Sequence, residues 1–221
     1  MSFRIEHSRG SASAFHHRDL PDPVERVVWV HEVSEPTLVI GSTQSLDSID
    51  AEACASRGVE VVRRRSGGAA VLLMPGGALW VDVVLPAGDP LWDDDVGRSF
   101  GWLGERWANA LKACGVSGAV VHDGPLVRTE WSSVLCFAGL GPGEVTVAGR
   151  KVVGISQRRT SSGARFQCAV MVRWDVDRHL ELLSPVWRSR PRGTLDTAAT
   201  GPGVALGALA TALLTTLTSS N

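Results

Sequence analysis

Apolar and polar positions along the chain fall mostly into short alternating runs, with few long helical stripes. Val24–Val33 and Arg165–Trp174 alternate with a period of two and predict strands, and so does Val59–Arg63. Thr37–Gly41 is a short apolar run closed by a glycine, which predicts a buried strand. Val71–Met74 and Ala78–Leu85 predict two strands in a hairpin-like arrangement around Pro75-Gly76-Gly77. Glu144–Val147 and Lys151–Ser156 predict a second hairpin across Ala148-Gly149-Arg150, and Gly118–His122 and Ser133–Phe137 read as further short strands. Helical spacing marks Asp47–Arg57, with Gly58 just beyond it, and Asp175–Leu183, capped by Asp175. Val204–Leu217 predicts a closing helix. The clearest amphipathic helix is Val96–Cys114, with Phe100, Leu103, Trp107, Ala110 and Leu111 on one stripe. Residues 1–23 read as a polar, irregular arm with a short helix near Ser11–His17 and a turn at Asp19–Pro23. Many strands, few helices and hairpins in place of regular βα alternation predict an α+β fold, a mixed and largely antiparallel sheet flanked by helices. The expected organisation is one domain over 24–221, without repeats.

Composition narrows the function classes. Of 221 residues, 44% are hydrophobic and 20% charged, which supports a packed core rather than disorder. The 22 basic and 23 acidic side chains nearly cancel, so no general electrostatic grip on nucleic acid is expected. No uninterrupted apolar run is long enough for a membrane span, and no leader pattern opens the chain. The four cysteines, Cys54, Cys114, Cys136 and Cys168, are widely spaced and read as reduced thiols of a cytoplasmic protein. No histidine spacing suggests a metal site.

Lysine usage adds a further clue. Only Lys112 and Lys151 occur among the 22 basic residues. In such a chain a retained lysine marks a place where a compact ammonium does what a guanidinium fork cannot. Lys112 falls on the solvated side of a predicted helix. Lys151 lies in a glycine-flanked strand segment, GRKVVG, three residues before Gly154. A second candidate is RRRSGGAAV, Arg63 to Val71, where Gly67 and Gly68 let backbone approach a ligand and successive N–H groups face an anion. A third is Cys136 in VLCFAGLG, which reads either as a small buried hydrophobe or as a nucleophile near basic groups.

PTLVIGSTQ (36–44), RRRSGGAAV (63–71), PGGALWVDVVLP (75–86) and GRKVVGISQRR (149–159) occur in an order and spacing that resemble the lipoate–protein ligase A family. That family belongs to the biotin/lipoate A/B protein ligase superfamily. The resemblance covers roughly residues 24–183. It implies a biotin/lipoate ligase-like catalytic domain. It also implies ATP-dependent activation of a lipoyl-type acid as acyl-AMP, with magnesium as the counter-ion of ATP, and transfer to a lysine of a lipoyl-type carrier domain or other acyl-carrier protein. Carried over position by position, Arg64, Ser66, Gly67, Gly68, Ala69 and Val71 bind acyl chain and nucleotide. Lys151 meets the acyl carboxyl and phosphate, with Gly154 beside it.

The chain departs from the family pattern at several positions. Ala69 replaces the third glycine, Leu73-Met74 the usual His-Asp pair, Gly77 an asparagine and Cys168 a histidine. The stretch after Leu183 is too short for the accessory domain found in many bacterial ligases. Ligase chemistry is the first expectation, with Cys136 as packing. The alternative resembles the octanoyl and lipoyl transferases, which use no ATP and hold the acyl group on a cysteine, here Cys136. A non-catalytic acyl-binding relative is the third.

Overall fold

The computed structural model describes residues 2–218; residue 1 and residues 219–221 of the expected arm and domain lie outside the described residues. Among the described residues ten strands form two sheets: β1 (Arg4–Gly10), β2 (Val27–Val33), β3 (Thr37–Ile40), β4 (Glu60–Arg63), β5 (Val71–Leu73), β6 (Ala78–Pro86), β7 (Ala119–Val121), β8 (Val145–Val147), β9 (Arg150–Arg159) and β10 (Gly163–Met171). The larger sheet has the order β1-β2-β6-β10-β9-β8-β7, and the smaller β4-β3-β5. All pairs in the larger sheet are antiparallel except β1 with β2, and β3–β4 is the parallel pair of the smaller one. The fold is the mixed, largely antiparallel α+β arrangement expected.

Six α-helices among the described residues accompany the sheets: α1 (Ala12–His17), α2 (Ala51–Ser56), α3 (Gly101–Ala113), α4 (Val176–Leu180), α5 (Pro185–Arg188) and α6 (Leu206–Thr218). The stripe read on α3 is a core face. Leu103, Trp107, Ala110 and Leu111 are fully buried and pack with Leu209 and Leu213 of α6 on one side of the larger sheet. Val81, Val83, Phe166, Cys168 and Val170 point toward that layer. A second cluster, with Phe15, Val39, Val71, Leu73, Trp80, Phe137 and Met171, fills the space toward the smaller sheet.

Three expectations are corrected. Residues 4–10 are not an irregular arm but the edge strand β1, in register with β2 along its whole length. Its side chains alternate between exposed and half-buried, so the strand carries no apolar signature. The arm is also clamped from within. Arg165 donates to Asp82, to Phe15 O at 2.6 Å and to Arg18 O at 2.9 Å, which ties α1 and its C-cap to β10. Burial alone would raise the Asp82 carboxyl, but Arg165 and His31 outweigh it and hold it well below the usual range.

The strands around Pro75-Gly76-Gly77 do not pair with each other. β5 belongs to the smaller sheet and β6 to the larger, and the turn carries the chain between sheets. Ser133–Phe137 is not a strand either. It makes one parallel bridge, Leu135 with Ala70, and then tightens into a 3₁₀ turn over Cys136–Ala138.

Candidate active site

The hairpin of β8 and β9 turns at Ala148 (φ 50°) and Gly149 (φ 73°), the two positive φ values of a tight two-residue turn. Beyond the turn the register slips. Val147 pairs with Arg150 and Thr146 with Lys151, but Val145 pairs with Val153. One extra residue of β9 is therefore bulged, and a bulge resets the alternation of side chains. Val152 and Val153 both enter the helix-side core, while Lys151 and Gly154 share the opposite face. Unbroken alternation would have sent Lys151 into that core with Val153 and Ile155. The freed backbone of Lys151 bonds to the 198–200 segment, accepting from Thr200 N and donating to Ala198 O.

Lys151 is 3% exposed and all three of its donors are engaged. Nζ donates to Cys136 O at 3.0 Å and Gly139 O at 3.1 Å, and lies 2.6 Å from Glu144 Oε2. Glu144 is held in turn by Gly141 N at 2.7 Å and Ile155 N at 3.0 Å. An ideal Cβ on Gly154 would stand 3.2 Å from the Phe137 ring and 3.3 Å from Lys151 Cε, so this glycine makes room for both side chains.

The loop after β4 meets this group from the other side. Gly68 (φ 102°) approaches Gly41 so closely that a Cβ on Gly41 would lie 1.7 Å from Gly68 O. Arg64 is buried and folds back on its own loop, donating to Gly67 O at 2.8 Å and Ala69 O at 3.0 Å. Ser66 is also buried, bonding Gln167 Oε1 at 2.7 Å with Ser156 Oγ 3.1 Å away. Gln167 donates to Nδ1 of His16 at 3.0 Å. Burial, chiefly, lowers the His16 ring to about 3, so it is neutral.

Two spaces meet here. An open cleft of about 580 Å³ is lined by Gly67, Gly68, Ala69, Glu144 and Lys151 among others. Behind it is a narrow apolar cavity of about 40 Å³, with Val71, Gly154 and Arg64 in its wall and His16 and Trp80 lining it away from the cleft. Cys136, Ile155 and Ser156 line both. Cys136 is half-buried, unlike the fully buried Cys168, whose thiol burial pushes up.

The residues singled out from the sequence thus converge, but not all as expected. Gly67, Gly68, Ala69 and Lys151 face the cleft, and Val71 and Gly154 the cavity. Arg64 and Ser66 bond to protein groups and brace the loop. Arg159, at the end of β9, bonds the carbonyls of Asp93 and Asp94 and covers Trp92. Glu144, Gly41 and His16 were missed. The signal for Glu144 was its place at the head of the hairpin that delivers Lys151.

The profile of the lipoyl protein ligase A/B catalytic domain matches residues 12–195, and the chain belongs to that family. Among curated proteins it is similar to octanoyltransferase LipM of Carboxydothermus hydrogenoformans, 31% identical over 151 residues, covering 68% of this chain and 54% of the relative. It is likewise similar to octanoyltransferase LipM of Clostridioides difficile, 27% identical over 147 residues, covering 66% of this chain and 54% of the relative. The chain thus spans about half the length of these curated relatives. In fold it is similar to a bi-partite lipoate protein ligase from Thermoplasma acidophilum (TM-score 0.70, 16% identity, 98% of this chain and 82% of that one). It also resembles a lipoate-protein ligase A solved with ATP (TM-score 0.69, 17% identity, 98% and 84%). Among the described residues no helix is long and apolar enough to cross a membrane.

Proposed function

We propose that this chain transfers an octanoyl or lipoyl group without ATP, through a thioester on Cys136. The observation that carries this reading is the position of Cys136, half-exposed where the open cleft meets the apolar cavity. A carbonyl at the thiol would have its tail directed into the cavity and its leaving group into the cleft. Cys136 Sγ attacks the carbonyl carbon of a thioester donor; a new C–S bond forms, the donor's C–S bond breaks, and the donor thiol leaves with the proton that Cys136 gives up. The lysine amine of a carrier domain then attacks the enzyme thioester. A C–N bond forms, and the Cys136 thiol is restored with a proton from the amine. In this reading the backbone of Gly67–Ala69 offers amide donors to the carbonyl oxygen in the transition state. Lys151 holds the turn that carries Cys136.

Two further features support the ATP-independent route over the ligase reading. Lys151 and Arg128 are the basic residues lining the cleft, and Lys151 is neutralised by Glu144. A triphosphate there would face the Glu144 carboxylate with one rim arginine to balance it. The names of the curated relatives point the same way.

The test is incubation with an octanoyl carrier-protein thioester in the absence of ATP, followed by intact-mass analysis. An octanoyl adduct on the native chain that is absent from Cys136→Ser is expected. No adduct, together with pyrophosphate release from ATP and octanoate or lipoate, would return the ligase reading to first place.

A further inference from the structure

Thiols apart, the polar side chains that line the apolar cavity are engaged with protein groups, with one exception. Arg64 bonds the carbonyls of its own loop, and Trp80 Nε1 donates to Asp82 Oδ1 at 2.7 Å. Ser156 Oγ lies 3.1 Å from Ser66 Oγ, and Gln167 bridges Ser66 and His16. The exception is His16. It is 6% exposed, its ring lines the cavity, and its Nε2 is buried with no partner among the described residues.

The bond at Nδ1 fixes where the proton sits. Ser66 Oγ donates to Gln167 Oε1 at 2.7 Å, which leaves the Gln167 amide nitrogen to donate to Nδ1 of His16 at 3.0 Å. Burial, chiefly, keeps the ring neutral. A neutral imidazole that accepts at Nδ1 carries its hydrogen on Nε2. Trp80 holds the ring in place, with the two centroids 4.4 Å apart. The series Ser66, Gln167, His16 thus ends in a single oriented N–H donor in an otherwise apolar wall. Such a donor is costly to leave unmade, and an acceptor brought by a ligand would offset that cost.

We propose that His16 is a specificity-determining residue, whose Nε2–H recognises an acceptor near the far end of the acyl chain, and that the acceptor is a sulfur of a lipoyl-type dithiolane. This rests on the thioester reading, in which the tail of the group on Cys136 enters the cavity. A plain octanoyl chain ends in a methyl group and leaves the N–H unsatisfied. A chain ending in a hydroxyl brings a donor of its own, and the other polar side chains of the wall are already engaged, so its desolvation is not repaid. A thioether-like sulfur accepts weakly, donates nothing and packs as an apolar atom.

The test is a competition in one reaction between carrier-protein thioesters of lipoate, of octanoate and of a carbocyclic lipoate analogue in which methylenes replace both sulfurs. The adducts on Cys136 are read by intact mass. The native chain should favour lipoyl over the carbocyclic ring by roughly three- to tenfold, the worth of one net hydrogen bond. His16→Phe keeps an aromatic ring against Trp80 but has no N–H, and its ratio should fall close to one. A ratio within one sample is not moved by loss of folded chain. A native ratio near one, or a ratio that His16→Phe leaves unchanged, overturns the proposal. A second measurement decides alone if His16→Phe does not fold: the ¹⁵N shifts of the His16 ring as the native chain is titrated with free lipoic acid or the free carbocyclic acid. The Nε2–H tautomer is expected, responding to lipoic acid and not to its analogue; the Nδ1–H tautomer, or the same response to both acids, overturns the assignment. The titration needs no transfer. Absence of an adduct from all three donors would refute the thioester reading, and the titration would still decide the role of His16.

Discussion

Nζ of Lys151 lies 2.6 Å from Oε2 of Glu144, with both side chains 5% exposed or less. Each member is buried and held by two backbone groups besides its partner, so either one left alone is a poorly solvated charge. Leaving one buried charge alone costs about 3–5 kcal/mol, whereas removing both is far milder. Lys151→Met should therefore lower stability by about that amount, and adding Glu144→Gln should recover most of it. Acyl transfer should stay low in both variants, since the 136–139 carbonyls lose their tether. Urea unfolding of the four chains of this cycle measures the coupling. Simple additivity of the two single changes would show that the pair is not a unit.

Gly41 and Gly68 touch backbone to backbone, and a methyl group on Gly41 has nowhere to go. Gly41→Ala should destabilise the chain by about 1–3 kcal/mol and displace the glycine loop. Gly67→Ala, at a position with open space around it, serves as the control. Thermal unfolding of the two variants side by side checks this.

Gly154 lies under Phe137 and the Lys151 stem in the wall of the cavity. The cavity is no larger than a water or two, so an eight-carbon chain must displace side chains to enter. Gly154→Val should fill that route. Octanoyl adduct formation should fall at least tenfold, while unfolding shifts by about 1–3 kcal/mol. An unchanged adduct rate would place the acyl chain elsewhere.

His16 is neutral in the folded chain, its ring lowered to about 3 chiefly by burial. The unfolded chain binds a proton at the ordinary histidine value near 6.5, so it holds more protons than the folded one between those limits. Stability contributed by neutral His16 is therefore present above about pH 6.5 and is lost as pH falls toward 3, by about 1.4 kcal/mol per pH unit. His179, lowered by burial, adds to the same trend. His16→Gln should flatten the curve of unfolding free energy against pH between 6.5 and 4. A slope there equal to that of the native chain would contradict this.

How much of this was legible in the sequence depends on the element. The turn after β8 and the stripe on α3 follow from local chemistry, but Arg150 already pairs with Val147 and leaves Ala148-Gly149 as the turn, and α3 begins at Gly101 rather than Val96, so Phe100 of the expected stripe lies in the 3₁₀ turn before it. Lysine scarcity singled out Lys151, because the chain uses arginine almost everywhere else. Its orientation was not legible, since it depends on the extra residue in β9 and on backbone bonds to the distant 198–200 segment. Glu144 looked like any of 23 acidic residues until the hairpin folded it against Lys151. The edge strand β1 was hidden because its stability comes from main-chain pairing with β2, which leaves no apolar alternation to read. The glycines after Pro75 suggested a hairpin, but a turn that passes between two sheets has the same local signature.

The contact of Gln167 with His16 joins residues 151 apart in the chain, and that of Arg165 with Phe15 residues 150 apart. Contacts of such separation carry a large loop-closure entropy and form late and slowly. The hairpins of the larger sheet can assemble before α1 docks, but a chain at that stage has no back wall for its cavity and exposes Trp80 and its neighbours. If α1 docks last, binding of an acyl chain should return in refolding after the fluorescence change that reports the burial of Trp107 and Trp131.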